Sequence, residues 1–358
     1  VIPIRSRVRA FFIGASILAG AFAIGAVITF FNPVRPRLEN VVLDNTALGS
    51  RPEGCTQIHE FLCGELRRST DSGVRVMDDL LAEKKARELA QKIREENPDL
   101  TPEQLNNKLV EAIYTPERRG RVLTVYRRVK RDMSRFISLQ SDRVFSKREK
   151  NLLLARIERV SLELPPPAKM YADEPELFLK SDVFYEREIG NRLRLRIGGA
   201  FLLGVESNFN LTFTLAHELA HAIDPCEIRS AHFSIPAYDR LKACFMKQGL
   251  IDIRRSRQEC VKEDQLSETF ADWFAVQITA DALADHAATR QPADETLNTA
   301  IVDSVRDLCE DPSSDLIADT EHHPSPRVRI ERIFGENPTI QALLGCNSAR
   351  QISTYCKL

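Results

Sequence analysis

The sequence is short of the features that mark several functional classes. Its 50 basic and 51 acidic residues nearly cancel, leaving a formal net charge of −1, so no global field points to nucleic acid or to an acidic polymer. No CxxC pair is present, which removes the usual signature of a cysteine-rich structural zinc site. There is no internal repeat and no low-complexity segment. Apolar and charged fractions are those of an ordinary globular protein, and 358 residues suffice for one large domain or a core domain with a smaller helical one. One local basic stretch stands out: Arg118, Arg119, Arg121, Arg127, Arg128, Lys130 and Arg131. It reads as the solvated face of a helix paired with nearby acids rather than as a lipid- or partner-binding patch.

Long uncharged runs are absent except at one place. Arg5, Arg7 and Arg9 precede an apolar stretch from Phe11 to Phe31, long enough for one helical crossing of a bilayer. The arginines would stay in the cytoplasm, so everything after Asn32 is expected outside it, in the periplasm or cell envelope of a bacterial cell. Ala21-Phe22-Ala23 offers the alternative of a cleaved signal and a secreted protein, but the apolar run continues beyond it. Eight cysteines agree with export, since an even count in that setting reads as disulfides.

The rest of the chain is mostly helical in pattern. Pro33, Pro36 and Pro52 mark a linker, followed by a short amphipathic segment from Cys55 to Leu66. Helical spacing of apolar residues recurs over 76–96, through Val122, Val125, Val129 and Met133, and over 147–160. Thr101-Pro102-Glu103-Gln104 has the form of a capping box with proline at the first helical position. Pro165-Pro166-Pro167 is a breaker and an expected boundary. Beyond it, the Arg/apolar alternation of 192–197 predicts a half-buried strand, and helices are expected over 210–223, 263–283, 294–309 and 326–334.

Chemistry concentrates in the last part. His217-Glu218-Leu219-Ala220-His221 is an HExxH motif. Histidines at i and i+4 share one helix face and would bind one zinc ion, with Glu218 beside it as a general base. Apolar neighbours (Leu211, Phe213, Leu215, Ala216, Leu219, Ala220, Ile223) predict that this helix is buried. Glu268-Thr269-Phe270-Ala271-Asp272 sets two further carboxylates at i and i+4 on a second interior helix; one would be the third ligand and the other would orient a ligand imidazole. Asp224 is another candidate to orient a ligand. His323 and Arg329 lie in a His-Pro-Ser-Pro-Arg-Val-Arg segment that would supply an oxyanion donor and a cation for substrate carbonyls.

These segments resemble the neprilysin-like zinc metallopeptidases, which include the endothelin-converting enzymes. The likeness rests on the zinc helix with its trailing Asp224, the ExxxD helix, the element from His323 to Ile330, and Cys55-Thr56-Gln57-Ile58-His59-Glu60-Phe61-Leu62-Cys63-Gly64. It implies a mainly α (α+β) chain with a gluzincin-type, thermolysin-like catalytic domain and a small sheet. The implied zinc ligands are His217, His221 and Glu268. Glu218 would be the base, Asp272 would orient a ligand, His323 would stabilise the transition state and Arg329 would hold the substrate backbone. Disulfides Cys55–Cys346, Cys63–Cys309 and Cys244–Cys356 are likewise implied; Cys226 and Cys260 are left to pair with each other.

The chain departs from that family in two ways. Its helical region is much shorter, and the family's substrate-binding Asn-Ala pair has Asp182-Val183 as its nearest counterpart. The expected organisation is a signal-anchor over 1–36, a linker and N-terminal piece disulfide-bonded to the catalytic domain over 37–70, a reduced helical lid over 71–165 and the catalytic domain over 166–358. The expected function is a zinc metalloendopeptidase acting on a peptide or protein substrate, held at the membrane by its N-terminal helix. The alternatives are a non-catalytic envelope scaffold that keeps zinc for stability and binds a partner, and another zinc hydrolase such as an amidase.

Overall fold

The computed structural model describes residues 55, 57–68, 78–164, 179–187, 192–205, 207–251, 260, 265–289, 296–309, 323–346 and 355–358. The apolar run over 11–31 lies outside them. Among the described residues no helix is long and apolar enough to cross a membrane.

The described chain is mainly helical with one small sheet. Helices α1 (Ile58–Arg68), α2 (Asp78–Glu96), α3 (Pro102–Ile113), α4 (Pro116–Leu139) and α5 (Lys147–Arg159) lead into strands β1 (Ser161–Glu163), β2 (Val183–Arg187) and β3 (Leu193–Ile197). Then follow α6 (Gly199–Gly204), α7 (Asn208–Ala220), α8 (Pro225–Ser230), α9 (Pro236–Lys247), α10 (Gln265–Thr289) and α11 (Leu297–Ser304). The chain closes through α12 (Pro326–Val328), a wider helical turn over Arg329–Phe334, and α13 (Pro338–Leu343).

Local sequence explains the starts of several helices. Thr101 caps α3 as the pattern predicts: its hydroxyl accepts from Gln104 N–H, and the Gln104 side chain accepts from Thr101 N–H. Ser146 and Glu149 form the same reciprocal pair on α5. The basic stretch of α4 is in part the solvated, acid-paired face expected: Arg127 and Arg131 are exposed, Lys130 pairs with Glu158 and Arg131 with Asp132. Three of its residues also reach helix ends. Arg118 donates to the carbonyls of Ala112 and Ile113, Arg121 to Val205 O and Asn208, and Lys130 to Glu158 O and Val160 O. These three close orphan carbonyl ends of α3, α5 and α6.

The sheet has the order β1-β3-β2, with β1 parallel and β2 antiparallel to β3. β1 precedes the triple proline and β3 follows it, so one sheet draws on both sides of that breaker. β3 is buried on both faces, not half-buried as its alternation predicts. Leu193, Leu195 and Ile197 form one face; Arg194 and Arg196 on the other are paired with Glu163 of β1 and Glu186 of β2. A buried guanidinium is tolerated only with such partners. Gly198 is required where the strand ends: a Cβ there would lie 2.1 Å from the Lys180 carbonyl oxygen, while its N–H donates to Asp182 O at 2.9 Å.

The core lies where α7 and α10 pack together, with α4 and α11 beside them. Phe136 of α4 meets Trp273 and Phe274 edge-on, and Tyr238 of α9 meets Phe270 at 5.0 Å between ring centres. Four disulfides tie the periphery to this core: Cys55–Cys346, Cys63–Cys309, Cys226–Cys260 and Cys244–Cys356. These are the pairings expected from the sequence. No cysteine is free, which is the chemistry of an oxidising, extracytoplasmic compartment.

Candidate metal centre

Helix α7 is apolar around most of its surface, so it sinks into the core and carries His217 with it; the His217 side chain is 8% exposed. The α-helix ends at Ala220, earlier than its apolar pattern predicts. His221 keeps right-handed helical angles (φ −58°, ψ −25°), and Ala222 and Ile223 close a tighter turn. The two imidazoles therefore still share one face, with ring centres 5.0 Å apart. The chain then turns at Asp224, which caps α8 by accepting from Glu227 N–H at 2.7 Å.

α10 brings the carboxylates. Glu268 Oε2 lies 3.1 Å from His217 Nε2 and 3.5 Å from His221 Nε2. Zinc bonds of 2.0–2.1 Å in a tetrahedron put neighbouring ligand atoms about 3.3 Å apart, so the two spacings bracket what the ion needs. The other nitrogen of each ring is held by an acid. His217 Nδ1 meets Asp272 Oδ1 at 2.9 Å, and His221 Nδ1 meets Asp224 Oδ2 at 3.3 Å. A carboxylate only accepts, so each Nδ1 carries a proton, and a metal ion would take the Nε2 side, displacing the proton that each ring otherwise directs at Glu268. Two imidazoles and a carboxylate are a donor set of the kind that could hold a metal ion such as zinc.

Asp272 is itself clamped. Arg329 donates from Nε to Oδ2 at 2.7 Å and from Nη2 to Oδ1 at 2.8 Å. Arg329 thus braces Asp272 behind His217 through Nε and Nη2. His323 stands at the rim, with its side chain 43% exposed and Nε2 at 2.9 Å from Glu268 Oε2. The ligand atoms of His217, Glu268 and His323 lie within 4.8 Å of one another, and so do those of His217, Glu218 and His221. His323 is far more exposed than the other four.

Glu218 lies beside the centre, with Oε1 3.8 Å from His217 Nε2. Its Oε2 accepts the backbone N–H of Tyr185 at 2.8 Å. That contact fixes the sheet against the metal helix. Gly198 N–H bonds Asp182 O, so alternation along the antiparallel pair turns Val183 and Tyr185 backbone groups away from β3, towards the open side of β2. Asp182 is exposed and its Oδ1 accepts the N–H of Val183, whose side chain is buried. The two residues thus stand at the start of the edge strand that reaches Glu218.

The electrostatics follow from this packing. Burial works against a charged His217, but its hydrogen bonds to Asp272 and Glu268 outweigh it and lift the ring to about 9. For His221, burial is likewise overcome by Asp224 and Glu268, and its pKa rises well above the usual value. Burial pushes Glu218 up to about 7, with the two histidines opposing and Asp182 and Glu268 adding to the rise. Glu268 and Asp272 are held well below the usual range; burial opposes this, but Glu268 faces three imidazoles and Asp272 faces Arg329 and His217.

Two parts of the site carry no spacing signal in the sequence: the Tyr185 amide and Ser267, whose Oγ lies 3.2 Å from His221 Nδ1. Ser267 precedes Glu268 directly, and that adjacency is the one cue the sequence holds. No protein-family model matches the chain, and no curated protein matches it.

Proposed function

We propose that the protein is a zinc-dependent peptidase with His217, His221 and Glu268 as metal ligands. The observation that carries this reading is the convergence of both Nε2 atoms on Glu268 Oε2, at 3.1 and 3.5 Å, while both Nδ1 atoms are fixed by carboxylates. A structural site has no need of a fourth carboxylate poised beside it, and Glu218 is that group. When bound, zinc would polarise a water and a substrate carbonyl.

Glu218 takes the proton of the attacking water and returns it to the departing amine. A carboxylate held beside the metal position is placed to accept a proton from water and pass it on. The Tyr185 N–H keeps one of its oxygens fixed, so the other is aimed at the reaction. His323, on the exposed rim, donates to the oxygen that gains charge. The open side of β2 would take the substrate as an added extended strand, with the carbonyls of Val183 and Tyr185 as acceptors, since their N–H groups are held by Asp182 and Glu218. A gluzincin-type catalytic domain of neprilysin-like kind fits these roles, and the segment over 11–31 would anchor it to a membrane with the site outside the cytoplasm.

The test is a peptide-library cleavage assay by mass spectrometry, run beside metal analysis. Stoichiometric zinc with defined cleavage products supports the peptidase. Stoichiometric zinc with no product from any peptide turns the reading to a zinc-holding scaffold.

A further inference from the structure

His221 has two neighbours at Nδ1, and the nearer is not the carboxylate. Ser267 Oγ lies at 3.2 Å and Asp224 Oδ2 at 3.3 Å. The hydroxyl has a single proton, and the 2.5 Å contact from Ser267 Oγ to Asp224 Oδ2 takes it. Ser267 therefore turns only a lone pair towards the ring. Both neighbours of Nδ1 are acceptors, so once metal takes Nε2 the ring's remaining proton is held on Nδ1. Asp224 is fully engaged in this arrangement: Oδ1 caps α8 through Glu227 N–H, and Oδ2 receives the serine. The same two segments are joined covalently, since Cys226 follows Asp224 by two positions and is bonded to Cys260, which precedes α10.

We infer that Ser267 is a positioning residue that locks the metal-binding tautomer and orientation of His221, joining the helix that carries Glu268 to the turn that follows the zinc motif. This rests on the zinc reading above. Such outer partners of a ligand histidine typically change metal affinity by about 10–100-fold.

The experiment uses the full chain stripped of metal, with zinc and cobalt ions as probes. Zinc Kd is measured by chelator competition for wild type, Ser267→Ala and Ser267→Thr, and the visible absorption of the cobalt forms reports the ligand geometry. Melting of the metal-free forms checks that each variant folds. The expected result is a zinc Kd weaker by about 10–100-fold in Ser267→Ala, with an altered cobalt spectrum. Ser267→Thr, which keeps the hydroxyl, should return both towards wild type. Wild-type zinc affinity and cobalt spectrum in Ser267→Ala would overturn the inference and leave the zinc site standing, as would loss of melting temperature alone. A wild-type chain that takes up no zinc would overturn the site reading and this inference with it.

Discussion

His217 and His221 stand one helical turn apart and face one centre, yet the two are braced by different chemistry. Behind His217 is a buried ion pair: Asp272, 1% exposed, gripped by both Nε and Nη2 of Arg329. Behind His221 is a turn: Asp224 shares its oxygens among a helix N-terminus, a serine and the ring, at longer distance. The first brace links α10 to the helical turn after α12. The second links the end of α7 to α8 and to the first turn of α10. Identical side chains four positions apart on a motif thus depend on separate parts of the molecule. The His217 side should be the stiffer and costlier to break.

Asp272→Ala should have the largest effect on that contrast. It leaves Arg329 without its carboxylate and His217 without an acceptor. Breaking a buried pair costs roughly 3–5 kcal/mol, and zinc affinity should fall by about 100-fold; denaturant melts and chelator competition measure the two. Asp224→Ala should weaken zinc less, by about 10-fold, and cost about 1 kcal/mol through the lost cap on α8. Equal losses in the two variants would erase the distinction drawn here.

Proton linkage separates the sides further. In metal-free protein His217 is lifted to about 9, so its contribution to stability is fully present below the unfolded value of 6.5 and is lost as pH rises through about 9. Thermal melts of the metal-free chain should therefore fall across that window. Zinc must displace the same proton, so its affinity should rise with pH there. Asp272→Ala should flatten both trends. A metal-free melting curve that climbs from pH 6.5 to 9 would contradict the assigned partners of His217.

The smallest effect is expected from replacing Cys226 and Cys260 together by serine. This bridge joins the segment just after Asp224 to the chain before α10, on the His221 side. Zinc affinity should weaken only a few-fold, on the order of 1 kcal/mol, and the cobalt spectrum should move in the same direction as in Ser267→Ala. A larger loss than that of Asp272→Ala would place the stiff element on the other side of the site.

How much of this was legible beforehand varies with the kind of signal. HExxH and the ExxxD pair were readable because i and i+4 share a helix face, and the structure brings all four side chains of those pairs together with Glu218. Which acid serves which histidine was not readable. Asp272 and Asp224 are both suitable, and only the crossing of α7 and α10 assigns them. A backbone amide such as that of Tyr185 has no residue type to betray it. β1 is three residues long and β2 five, too short for alternation to stand out. Arg194 and Arg196 read as a solvent face because their partners, Glu163 and Glu186, lie on other strands. Arg118, Arg121 and Lys130 of α4 have partners that were hidden for a similar cause: these include carbonyl oxygens, which every sequence has.

The central claim is that Glu218 acts on a substrate at a zinc centre it does not help to build. The most direct measurement compares wild type with Glu218→Gln for zinc content and for cleavage of a peptide library. Stoichiometric zinc in both, with turnover reduced by about 10²–10⁴-fold in the variant, is the predicted result. Undiminished cleavage by Glu218→Gln, or loss of zinc along with activity, would contradict it.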